Sequence, residues 1–217
     1  MERIAFSDRA FNFYAGLMTD NSRAYWEANR ATYEAAVREP MAALLDRLAP
    51  TFGDGVKLFR PHRDVRFSAD KSPYKTAHGA AHRLPGVVHY LHLDASGLMV
   101  ACGNYVMEPD ELDRYRQAVA ADFSGVELSE ILAALGRRRS LRVGPGGAEP
   151  LKTAPRGFPR DHPRVDLLRQ KGIIATRTRP PSELDNGGRV RRFVVETFEV
   201  CADLTDWLRR YVGEWPS

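Results

Sequence analysis

Ala77-His78-Gly79-Ala80-Ala81-His82-Arg83, Val87-Val88-His89-Tyr90-Leu91-His92-Leu93 and Leu98-Met99-Val100-Ala101-Cys102-Gly103 are three short apolar or alternating runs. Pro85-Gly86 separates the first two, and Asp94-Ala95-Ser96-Gly97 separates the second from the third. Runs of this length between Gly, Pro, Asp and Ser clusters read as strands joined by turns. Links this short require antiparallel neighbours, because a parallel crossover needs a dozen or more residues. Val56–Phe59 and Asp64–Ser68 extend the pattern upstream, with Gly53-Asp54-Gly55 and Ser72-Pro73 as further turns. In the second of these, Val65 and Phe67 would face a core, while Asp64, Arg66 and Ser68 would share the opposite face.

Outward from the strands the period changes to helical. Ser7 precedes Ala10, Phe13, Tyr14 and Leu17, and Asp20-Asn21-Ser22 precedes Trp26, Tyr33 and Val37. Each reads as a capped amphipathic helix. Pro40 fits the first turn of a third helix or a kink in the second. Asn21, Arg23 and Asn29 lie beside aromatics and read either as caps and staples or as the polar rim of a pocket. Downstream, Pro109 opens a helix through Leu112, Tyr115 and Val119. Ser124-Gly125-Val126-Glu127 resembles a capping box before Leu128 and Leu135. Asp161 opens a short helix through Val165 and Leu168, and Gly172–Thr178 reads as one more strand. Val190, Phe193, Val194, Thr197, Cys201, Leu204, Leu208 and Tyr211 make a continuous helical stripe. Gly144-Pro145-Gly146-Gly147 lacks the Lys-Ser/Thr ending of a phosphate loop and reads as a turn. The fold expected is α+β in a single domain, 1–217: an antiparallel sheet, about residues 56–103 plus a strand near 172–178, packed against N- and C-terminal helices.

The 217 residues suffice for a sizeable core, and 43% hydrophobic with 28% charged residues is ordinary globular composition. The chain shows no bilayer-length apolar run and no signal-peptide core, so a cytoplasmic protein is expected. Cys102 and Cys201 are the only cysteines and imply no disulfide framework. Five of the six histidines sit in or beside the strands. Their spacing lacks any His-x-His or His-Glu-x-x-His pattern, so no metal is assigned, and no cofactor is identified.

Charge concentrates in residues 60–76, Arg-Pro-His-Arg-Asp-Val-Arg-Phe-Ser-Ala-Asp-Lys-Ser-Pro-Tyr-Lys-Thr, with five cations and two carboxylates in seventeen residues. Arg63, Arg66, Ser68 and Lys75, with Arg156 further on, are candidate ligands for a phosphate or carboxylate. Asp64 or Asp70 could serve as a base, and Lys71 or Tyr74 as an acid, where burial shifts their pKa values. The competing account is an ion-pair network that only fixes a hairpin, since Arg-Asp-x-Arg contains its own counterions.

The same stretch carries a resemblance. Arg63-Asp64-Val65-Arg66-Phe67-Ser68 with Asp70-Lys71-Ser72-Pro73-Tyr74-Lys75-Thr76 resembles the signature of the family called domain of unknown function 2461. Asn21-Ser22-Arg23-Ala24-Tyr25-Trp26 with Asn29-Arg30 is similar to its N-terminal pattern, departing at Ser22 and at the aromatic pair. Leu151-Lys152, Pro155-Arg156-Gly157-Phe158 and Asp161-His162-Pro163 are similar to a third block. The resemblance implies an identity and carries no activity.

Three classes of function remain in view. A small anionic ligand, bound with or without catalysis in a cleft lined by Arg63–Thr76, comes first. Nucleic-acid binding is the alternative, supported by the net charge of +4 and by arginines such as Arg137, Arg138 and Arg139. A protein-interaction module is the third. Oligomeric state is not readable from the chain.

Overall fold

The computed structural model describes residues 4–52, 55–66 and 68–213. Residues 1–3, Gly53, Asp54, Phe67 and residues 214–217 lie outside them. The fold is α+β, built on a six-stranded antiparallel sheet. Its strands are β1 (Lys57–Leu58), β2 (Ala77–Leu84), β3 (Val87–Asp94), β4 (Gly97–Asn104), β5 (Arg142–Pro145) and β6 (Ile173–Arg179). They lie in the order β1-β2-β3-β4-β6-β5. β1 pairs antiparallel with β2, Lys57 opposite Ala81, and β5 pairs antiparallel with β6, Val143 opposite Ala175.

The β2–β3–β4 meander follows from its turns. Gly86 holds a φ of +72°, and a Cβ there would meet the backbone of Gly213 at 2.6 Å, so glycine is required on both counts. At the next turn Asp94 Oδ1 accepts from the Ser96 backbone N–H at 2.7 Å and from the Ser96 hydroxyl at 2.6 Å. This local closure of the chain by an aspartate is a standard turn device.

Two compact units make up the chain. The first comprises Met1–His82, Tyr90–Val100 and Thr178–Glu196. It contains α1 (Asp8–Thr19), α2 (Arg23–Tyr33) and α3 (Glu39–Phe52). Between α2 and α3, residues Glu34–Arg38 widen into a π turn, and Pro40 follows in the first turn of α3. A proline cannot supply an N–H to the preceding turn, and a one-turn π widening absorbs that misfit. Phe13, Tyr14, Leu17, Trp26, Tyr33, Val37, Met41 and Leu44 are buried together with Leu91, Leu93 and Leu98 of the sheet.

The second unit comprises Arg83–His89, Ala101–Arg177 and Thr197–Ser217. It holds α4 (Pro109–Ala120), α5 (Asp122–Gly136), α6 (Val165–Leu168) and α8 (Ala202–Tyr211) with the end of α7 (Gly187–Val200). Trp207 anchors it, donating from Nε1 to the Ser124 carbonyl at 2.9 Å and packing edge-on to Tyr115. The thiols of Cys102 and Cys201, 99 residues apart in sequence, are both fully buried, free and hydrogen-bonded to each other.

Several local expectations change. Asp64–Ser68 is not a strand at its described residues. Ser124 does not cap a helix: α5 begins at Asp122, and the Ser124 hydroxyl donates back to the Ala118 carbonyl at 2.6 Å. The short helix opens at Val165 rather than Asp161. The C-terminal stripe is interrupted at Cys201, where the chain turns between α7 and α8. Among the described residues no helix is long and apolar enough to cross a membrane.

Candidate functional site

The charged motif folds in two parts. Its ends pair: the Arg63 N–H donates to the Pro73 carbonyl at 2.9 Å, and the Lys75 N–H to the Pro61 carbonyl at 2.8 Å, around an antiparallel bridge between His62 and Tyr74. A hairpin therefore exists, but it pairs 61–63 with 73–75, and the residues between form a loop outside the ladder. The reason is local. The Asp64 carboxylate accepts from Arg66 Nε at 2.9 Å, from its Nη2 at 2.7 Å and from its backbone N–H at 3.3 Å. Aspartate bonds to the chain two residues on compete with extended structure. Asp70 repeats the device, accepting from the Ser72 N–H at 2.9 Å and from the Arg63 guanidinium.

These contacts define the chemistry of the loop. Arg66 and Asp64 neutralise each other at the surface, as do Arg63 and Asp70. The hydrogen bonds from Arg66 hold the Asp64 carboxyl below the usual carboxylate range. Asp70 is lowered to about 2, by Ser72 first and then by Arg63. Both are therefore ionised, exposed acceptors rather than carboxyls raised by burial. Lys71 donates to the Val65 carbonyl at 3.0 Å, Val65 and Ser68 are half-buried in the loop, and Arg156 lies on an exposed turn of the second unit.

Behind the loop, Tyr74 is buried and clamped. Asn21 Nδ2 donates to the Tyr74 carbonyl at 3.0 Å, and the Tyr74 N–H donates to Asn21 Oδ1 at 3.0 Å. Asn21 is free for this task because Ser22 takes the cap of α2, accepting from the Tyr25 N–H at 3.1 Å. The Tyr74 ring stacks on Trp26 at 4.4 Å and 9°. Trp26 packs against Tyr33 at 4.9 Å, and the Tyr33 hydroxyl lies 3.1 Å from His78 Nδ1. Burial, with Arg38 and Lys75 nearby, pushes His78 down to about 4.

Lys75 leaves this anchored segment in the other direction. Its Nζ sits 5.3 Å from the centroid of the Phe59 ring. Burial and the neighbouring Arg60 lower its pKa. Neither Lys75 nor Arg60 forms an ion pair with a described residue. Phe59 in turn packs against Tyr90 at 6.2 Å. Gly79 makes that approach possible, since a Cβ there would meet the Phe59 ring and the Tyr90 hydroxyl at 2.9 Å each.

Tyr90 begins a polar row that the sequence reading passed over. Tyr90, His92 and Asp94 stand at alternate positions of β3 and share one face. The Tyr90 hydroxyl lies 3.0 Å from His92 Nδ1, and His92 Nε2 lies 3.3 Å from Asp94 Oδ2. The signal was present as the spacing Tyr-x-His-x-Asp. Histidine-to-histidine spacing, the pattern that marks a metal site, does not include it. Among the described residues, no three His, Cys, Asp or Glu side chains gather as a metal-holding group.

A half-open groove of about 1220 Å³ lies elsewhere in the first unit, between α3 and the Asp185–Gly188 turn. Its walls include Ala35, Ala42 and Ala43, with exposed Glu39, Asp46 and Arg47, and it shares no residue with the motif or with β3. Size alone therefore does not locate the chemistry, which follows the convergent polar groups.

No curated protein matches the chain. The profile of the family described as Conserved hypothetical protein (DUF2461) matches residues 9–207, a span that takes in the Asn21 clamp, the charged loop and β3 alike. The chain belongs to that family.

Proposed function

We propose that the protein binds a small phosphate- or carboxylate-bearing molecule beside the Arg63–Thr76 motif, with Lys75 and Arg60 as its charge contacts. The observation that carries this reading is the uncompensated pair itself. Two neighbouring cations, one partly desolvated, have no described acid partner, whereas Arg63 and Arg66 have theirs. Bringing like charges together costs free energy that a bound anion would return. The Asn21 clamp and the Trp26 stack hold Lys75 from behind, which supplies preorganisation. Isothermal titration with inorganic phosphate and with benzoate tests the reading. Wild type should bind one of them, and Lys75→Ala should lose at least tenfold in affinity with an unchanged melting temperature. Equal binding by Lys75→Ala and wild type would overturn it.

The nucleic-acid reading rests on a different observation, the exposed run Arg137–Arg139 in the second unit. A fluorescence titration with single-stranded DNA at several salt concentrations separates the two. Replacing all three arginines with alanine should lower both affinity and salt slope if that run contacts phosphates, and should change neither if it is a solvated face.

A further inference from the structure

The Tyr90–His92–Asp94 row has the geometry of an activated nucleophile. His92 Nε2 faces the Asp94 carboxylate at 3.3 Å, an electrostatic contact that favours the tautomer with its proton on Nε2, because a carboxylate only accepts. Nδ1 is then an acceptor, and the Tyr90 hydroxyl donates to it at 3.0 Å. The chain of contacts thus runs from nucleophile to base to orienting carboxylate, the arrangement that recurs in hydrolytic triads on unrelated folds. Asp94 is itself fixed by two bonds from Ser96, at 2.7 and 2.6 Å. The rigid strand sets the spacing, and Gly79, lacking a Cβ, lets the phenol pack close against β2. The side chains of His92 and Asp94 remain 30% and 31% exposed, so a small molecule can reach the row.

We propose that Tyr90 is a nucleophile activated by His92 and oriented through Asp94, and that it takes small electrophiles of the activated-ester class. In the first step Tyr90 Oη bonds to the electrophilic acyl carbon while its proton passes to His92 Nδ1. The bond to the leaving group breaks with its electron pair, and the imidazolium, stabilised by Asp94, returns the proton to the departing oxygen. In the second step water attacks the aryl ester, gives a proton to His92, and Tyr90 leaves and is reprotonated. The net reaction is ester hydrolysis, with no other co-reactant. A phenol is a good leaving group, so the covalent ester turns over readily.

This site stands independently of the anion reading, although the two adjoin through Phe59, which touches both Lys75 and Tyr90. The groups that face His92 and Asp94 are Tyr90 on β3, Ser96 at the turn, and buried Tyr14 of α1, whose pKa the Asp94 charge helps to raise.

Sulfonyl fluorides trap such a phenol, because the S–F bond breaks, an S–O bond forms and the sulfonate ester persists. The intact chain is treated with phenylmethylsulfonyl fluoride between pH 6 and 9, and the labelled residue is mapped by mass spectrometry. Tyr90 should be labelled at least tenfold faster than N-acetyltyrosinamide. His92→Asn should return the rate to that of the free amino acid, and Asp94→Asn should lower it and move its pH profile, with melting temperatures confirming that both variants fold. Tyr90 labelling no faster than free tyrosine, or equally fast in His92→Asn, would overturn the proposal. A parallel reaction with 4-(fluorosulfonyl)benzoate distinguishes the two readings. A rate preference for this carboxylated probe that disappears in Lys75→Ala supports the anion contact, and its absence leaves Tyr90 activation standing alone.

Discussion

The outer and inner parts of one motif use their polar residues in opposite ways. Arg63, Asp64, Arg66 and Asp70 are charged, largely solvent-facing and neutralised in pairs. From Tyr74 to His78 the two aromatic side chains are buried, with Tyr74 clamped and stacked. The outer part holds most of the charge, and the inner part holds most of the structure. Surface ion pairs exchange one set of favourable solvation contacts for another and contribute little. A buried aromatic stack removes apolar area from water, and Asn21 pairs with both backbone polar groups of Tyr74.

The largest expected effect is at the centre of the inner part. Trp26 is 5% exposed and touches Phe13, Tyr33, His62 and Tyr74. Trp26→Ala should lower stability by about 3–5 kcal/mol, the usual range for truncating a buried aromatic. Urea unfolding measures it, and a loss below 1 kcal/mol would mean that the stack is dispensable.

Acid should act on the same region. His78, 2% exposed, titrates at about 4 in the folded chain against 6.5 for an ordinary histidine. Above pH 6.5 both folded and unfolded states are neutral there, and this histidine makes stability independent of pH. As pH falls below 6.5 the unfolded chain binds the proton and the folded chain does not, so stability declines until the folded group titrates near 4. The loss is on the order of 3 kcal/mol across that window. Subtracting the pH–stability curve of His78→Gln from that of wild type should isolate the slope. Identical curves would place the acid sensitivity elsewhere.

The smallest effect belongs to the outer part. Arg66 is 76% exposed at its side chain and pairs with a carboxylate beside it in the same loop. Arg66→Ala should leave the melting temperature unchanged within error. A clear drop would erase the distinction between the two parts and make the charged loop a structural element.

The alternating runs and glycine-marked turns from 77 to 104 specified the antiparallel meander almost to the residue, and the Pro109 stripe specified its helix, whereas the Val190 stripe folds as two helices broken at Cys201. Backbone geometry imposes those periods locally, so they survive in any one-dimensional reading. Local pattern misled at Asp64–Ser68, where two alternating apolar residues looked like a strand but aspartate-to-backbone bonds bent the chain. Only the tertiary structure decided that Asn21 clamps Tyr74 across 53 residues, that Arg63 takes Asp70 and Arg66 takes Asp64, and that Lys75 remains beside Phe59 with no acid partner among the described residues. Charge density in the chain gives the number of cations and anions, but which of them cancel depends on distances that folding sets. The face that Tyr90, His92 and Asp94 share is fixed by strand parity in sequence. That this face stays open to solvent depends on where the helices pack, which no local period encodes.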